Sequence, residues 1–65
     1  MNTTFLEYMK SRLLETKDDI EEMNKLLHPF HDVLAIKIQG SLEGMLWYIK
    51  EALEEIEKDK GEKNV

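Results

Sequence analysis

A single proline, Pro29, stands between two stretches in which apolar residues recur every three and four positions. Upstream, Leu6, Met9, Leu13, Ile20, Met23 and Leu27 form one seam, with Thr16 filling its one polar gap. Downstream, Ala35, Ile38, Leu42, Met45, Ile49, Ala52 and Ile56 form another. This spacing marks the stripe of a helix that packs against a second helix. A proline inside a helix removes a backbone hydrogen bond and clashes with the preceding turn. The two seams therefore belong to two helices, and the chain must turn between them.

The boundaries follow from local chemistry. Thr4-Phe5-Leu6-Glu7 reads as a capping box, in which a hydroxyl and a carboxylate satisfy orphan amides, so the first helix starts near Thr4. Pro29 disfavours the α conformation at His28 and ends that helix near Leu27. Pro29 then opens the second helix, where its missing amide hydrogen costs nothing. The expected organisation is one domain over 1–65: helix 4–27, turn 28–30, helix 30–58, and a polar tail 59–65, containing Gly61, that frays. In an antiparallel hairpin, facing residues have numbers with a constant sum. Met23 with Ala35, Ile20 with Ile38, Thr16 with Leu42, Leu13 with Met45 and Met9 with Ile49 all sum to 58, and half of 58 is the position of the proline.

The predicted fold class is all-α: an antiparallel two-helix hairpin, coiled-coil-like, dimerising into a four-helix bundle. One alternative stays open within it. Residues 33–39 are rich in β-branched side chains, and Gly40-Ser41 would let a fresh helix start with Ser41 as its cap.

The case for dimerisation comes from size. A chain of 65 residues buries only about 60% of the surface that its unfolded form exposes. With no cysteine, disulfides and thiolate metal sites are excluded, and oligomerisation is the stabilising device that remains. Phe5, Leu14, Leu26, Phe30, Val33, Leu34, Ile36, Leu46, Trp47, Tyr48 and Leu53 are left over by the two seams. Leu46 and Leu53 lie seven apart beside the second seam and widen it to the face of a bundle. With Leu26 and Leu34 at one end, they are the expected dimer interface.

Ile36, Gly40, Gly44 and Trp47 share a helix face opposite the seam. A helix-interior glycine costs about 1 kcal/mol relative to alanine. Two of them beside the only tryptophan suggest a shallow trough with an aromatic edge, open to another backbone. A tolerated kink with a tryptophan covering the core is the plainer explanation. This face is the expected site for a partner protein.

Charge narrows the partners. The net charge of −5 argues against direct nucleic-acid binding, which needs a basic face. By segment the balance is +1 for residues 1–14, −3 for 15–26, 0 for 27–50 and −3 for 51–65, so the middle of the second helix is expected to be the most buried part. Residues 1–10 lack the pattern of a signal peptide, and the apolar stretch 26–38 is too short and polar to span a bilayer. The expected location is cytoplasmic, with no membrane partner.

No residue set points to catalysis. His28 and His31 have a spacing that could share a metal, but Pro29 intervenes and only Asp32 offers a third ligand nearby. The acids Glu15, Asp18, Asp19, Glu21 and Glu22 fall on a solvated face that would not separate their pKa values. No phosphate loop or nucleophile signature occurs. The expected function is therefore non-enzymatic, without cofactor or metal: an adaptor, inhibitor or small chaperone that presents a helical face to an unidentified protein and pairs with itself. Two alternatives stand beside it, an acidic decoy of nucleic acid and a purely structural bundle component. Interleaved Lys17, Lys25, Lys58, Lys60 and Lys63 weigh against the decoy.

Ser41-Leu42-Glu43-Gly44, followed by Leu46 and Ile49, resembles the second helix of the small hairpin co-chaperones of type III secretion needle subunits. The resemblance spans about a quarter of the chain and carries no residue roles. Small size, acidity and the lack of motifs also look like accessory proteins of phages and mobile elements.

Overall fold

The structure is a computed structural model; it describes residues 2–63, and side chains for residues 2–59. Two helices, α1 (Thr3–Leu27) and α2 (Val33–Lys63), pack against each other as a hairpin. The molecule measures 50 × 15 × 12 Å. Its smallest dimension is about one helix diameter. The hairpin is thus a slab with two broad faces, and neither can be covered by the chain itself.

The first helix starts earlier than its capping box suggests. Asn2 has extended φ and ψ of −62° and 127°, and its Oδ1 accepts hydrogen bonds from the amides of Thr4 (2.7 Å) and Phe5 (3.4 Å). Asparagine is at least as good a cap as threonine. Here it satisfies two orphan donors, so Thr4 is drawn into the first turn.

The connection also differs from expectation. His28 keeps α-helical angles (φ −53°, ψ −40°) in spite of the proline after it. The helix ends because Pro29 has no amide hydrogen to continue the ladder. His28 N–H instead reaches Lys25 O at 3.3 Å, tightening the last turn, and Phe30 N–H bonds Leu27 O at 3.0 Å. Pro29 does not open α2, which starts at Val33. Ile36 N–H donates to Asp32 O as the first bond of the new helix. From Val33 the helix is continuous through Gly40, with no positive-φ glycine. Ser41 does not cap a fresh helix; its hydroxyl donates to Lys37 O at 3.1 Å. The helix also passes Gly61 to reach Lys63, so only Asn64 and Val65 of the expected tail lie outside the described residues.

The longer connection shifts the register by about one turn. Leu6 shares a cleft with Ile56, where a sum of 58 would set it opposite Ala52. Near the turn, Gln39 Nε2 donates to Leu27 O at 2.9 Å and to Phe30 O at 3.4 Å. That side chain adds a second donor to Leu27 O at the end of α1 and reaches Phe30 O in the connection, and it clamps α2 to the turn.

The core contains Leu6, Ile20, Ala35, Leu42 and Ile49 as its buried residues. Leu13, Leu27, Leu46 and Leu53 pack against the cluster of Ile20, Leu42 and Ile49. Five of the seven positions in each expected seam are therefore buried or half-buried, Met9 and Ala52 among them. Leu6, Leu13, Ile20 and Leu27 face Ala35, Leu42, Ile49 and Ile56 along the pair. Three of the intervening positions are not as expected: Ile38 is 36% exposed, Met23 48% and Met45 51%. Lys10, Lys17, Asn24, Gln39, Leu46 and Leu53 turn partly inward in their place.

Asn24 is costly in this position. Its Oδ1 is buried without a hydrogen-bond partner among the described residues. An unsatisfied buried acceptor costs about 1–3 kcal/mol, whereas an apolar replacement of similar shape removes the cost. Asn24→Leu is expected to stabilise the hairpin by about that amount and raise Tm by roughly 4–8 °C per kcal/mol. A thermal melt with unchanged or lower Tm would show that the amide oxygen is satisfied.

Candidate functional site

Helical geometry divides the surface into three usable regions. A residue three beyond a seam position is rotated about 60° one way from it, and one four beyond about 40° the other way. In an antiparallel pair, the first kind lies on the same broad face for both helices, and the second kind on the opposite face. The observed packing tilts both helices toward the second.

On that closed face Leu46 and Leu53 pack against the core, so the leucines expected beside the seam are half-buried within the hairpin itself. Lys10 and Lys17 share that face, their stems able to cover apolar surface while the amines stay in water. Lys10 Nζ reaches Glu57 Oε1 of the other helix at 2.8 Å. Lys17 Nζ meets Glu21 Oε1 at 2.7 Å. Their hydrogen bond, and then their mutual charge, holds the Glu21 carboxyl below its ordinary range and the Lys17 amine above its own.

The other broad face is open. Along it run Met9, Thr16 and Met23 of α1 beside Ile38, Met45 and Ala52 of α2, a strip with no charged side chain. Leu26 and Leu34, expected at an interface, adjoin its turn end and are exposed. Its far end is a cleft of about 340 Å³ lined by Phe5, Leu6, Met9, Glu55, Ile56 and Asp59.

The third region is the back of α2, facing away from α1. Ile36, Gly40, Gly44 and Trp47 all lie there and all are exposed, Trp47 at 56%. Its indole packs edge-on against the Tyr48 ring, with centroids 5.1 Å apart and planes at 78°. A Cβ added at Gly40 or Gly44 would meet nothing within 4 Å. No contact within the chain requires these glycines. The middle of α2, of zero net charge, thus buries one stripe, through Leu42, Leu46 and Ile49, and presents the rest outward.

The histidines stand apart from these regions. His28 and His31 are exposed at the connection. Among the described residues, no three histidine or acidic side chains gather closely enough to hold a metal ion. No described helix is long and apolar enough to cross a membrane. Gln39 is the structural residue that the sequence pattern missed; its signal was its place in the Gln39–Leu46–Leu53 series, at seven-residue spacing. No family model, curated protein or solved structure matches this chain.

Proposed function

We propose that this chain is a non-enzymatic protein-interaction module, a helical hairpin that pairs with a second copy and offers the back of α2 to a different protein. One observation carries the reading: thirteen large hydrophobic side chains of the described residues are exposed, against four that are buried beside Ala35. Exposing apolar area on this scale is characteristic of a binding surface. The partner site is Ile36, Gly40, Gly44 and Trp47. Tryptophan is enriched among interface hot spots, and the glycines would let a partner's backbone come close. The acidic-decoy alternative has less support, because the ion pairs Lys10–Glu57, Arg12–Glu15 and Lys17–Glu21 set cations among the acids.

Parallel affinity capture with wild-type and Trp47→Ala baits tests this. The substitution removes no core contact, so helicity should be unchanged. A true partner should be retained by the wild type and weakened about 30-fold or more by the variant, following a hot-spot loss of about 2 kcal/mol. A captured protein insensitive to Trp47→Ala would remove this face from the proposal. One released steeply by moderate salt would favour the decoy.

A further inference from the structure

We infer that the second copy docks on the open broad face, through Met23, Ile38 and Met45 with Leu26 and Leu34 at the turn end. The inference rests on the reading of the hairpin as a self-pairing module and assigns that pairing a surface. It moves the interface away from Leu46 and Leu53, which are engaged in the hairpin core.

Three features of the molecule converge on this face and this occupant. The first is area. A folded monomer of 7.7 kDa is expected to expose about 4,300 Å², and this chain exposes 5199 Å². The excess, about 900 Å² over the whole elongated molecule, is of the size, roughly 800 Å², that each partner loses in a standard stable interface. The second is continuity. The uncharged strip runs along both helices for most of the slab, whereas the closed face is crossed by Lys10 and Lys17. A local anchor would suit an unrelated partner, but a long uncharged strip, apolar except at Thr16, on two antiparallel helices suits another pair of antiparallel helices. The third is periodicity. Met23, Ile38 and Met45 keep the heptad phase of the buried residues, so facing two hairpins completes the a/d layers of a four-helix bundle. In a two-fold interface the same patch serves both copies. The back of α2 remains outward in such a dimer, so self-pairing and partner binding do not compete.

Sedimentation equilibrium at micromolar concentration tests the assignment. Wild type should show twice the chain mass. Met45→Glu should show the single mass with unchanged helicity, its dissociation constant raised about 100-fold or more. Mixing Met45→Glu with Met45→Lys should restore the double mass. A wild type of single mass across the range overturns both the pairing and its surface. A wild-type dimer that persists in Met45→Glu but is lost in Trp47→Glu overturns only the surface. Should Met45→Glu lose helicity, Met45→Cys decides, since the chain has no other cysteine. A flexible bismaleimide should then link two chains, and failure to do so counts against the face.

Discussion

Leu42→Ala is expected to unfold a large share of the hairpin at room temperature, while Met45→Ala leaves the isolated monomer almost unchanged. Leu42 is 5% exposed and belongs to the central cluster, whereas Met45 is 51% exposed. Truncating a buried leucine costs about 2–5 kcal/mol in lost transfer energy and cavity. A single core of this size rarely supplies more than about 3–5 kcal/mol in total. One substitution therefore removes most of the margin. The comparison needs submicromolar protein, so that association adds nothing to stability. Urea titration reads it as a fall in midpoint for Leu42→Ala alone. Equal losses for the two variants would mean that α2 is rotated, with Ile38, Met45 and Ala52 inward.

That rotation marks the limit of what the sequence made legible. The positions spaced by seven, Leu6 to Leu27 and Ala35 to Ile56, are apolar whichever way each helix leans, so the hairpin could be read from them. The flanks could not be read helix by helix. On α1 alone, Met9 and Met23 are more apolar than Lys10, Lys17 and Asn24, and the methionine side was the natural choice. On α2 the opposite flank holds Leu46 and Leu53, which fill the core better than Met45 and Ala52. Antiparallel packing makes the two helices lean to the same face, so the leucines of α2 decide for α1 as well. Asn24 is carried inward without a partner for its Oδ1, and Met23 and Met45 are left on the surface. The choice belongs to the pair, and periodicity scores one helix at a time.

The turn escaped for a related reason. Pro29 correctly marks where helix must stop, but the restart is set by where α2 can engage α1. That engagement is the bond from Gln39 to Leu27 O, a contact between residues twelve apart that no local rule supplies. The outward placement of Ile36, Gly40, Gly44 and Trp47 was legible throughout, because the back of a helix is fixed by its seven-spaced core positions.

The glycines give the sharpest separation between stability and binding. Gly40→Ala with Gly44→Ala should make the protein more stable and a poorer binder at once. Each glycine in a helix interior costs about 1 kcal/mol relative to alanine. Both lie in a continuous helix with ordinary backbone angles, and an added Cβ would meet no neighbour within 4 Å. The double variant should therefore gain about 2 kcal/mol, raising Tm by roughly 4–8 °C for each. Nothing in the free hairpin opposes the change, and on the proposed function the two glycines serve the partner. If a partner's backbone approaches at Gly40 and Gly44, two methyl groups hold it off, and affinity falls while stability rises. Calorimetry of the double variant, with titration of a partner sensitive to Trp47→Ala, measures both quantities on one sample. A gain in Tm with unaltered affinity would show that the partner grips Trp47 and leaves the glycines untouched. A loss in Tm would show that α2 needs its glycines for its own packing, and the back of the helix would then not be the open surface described above.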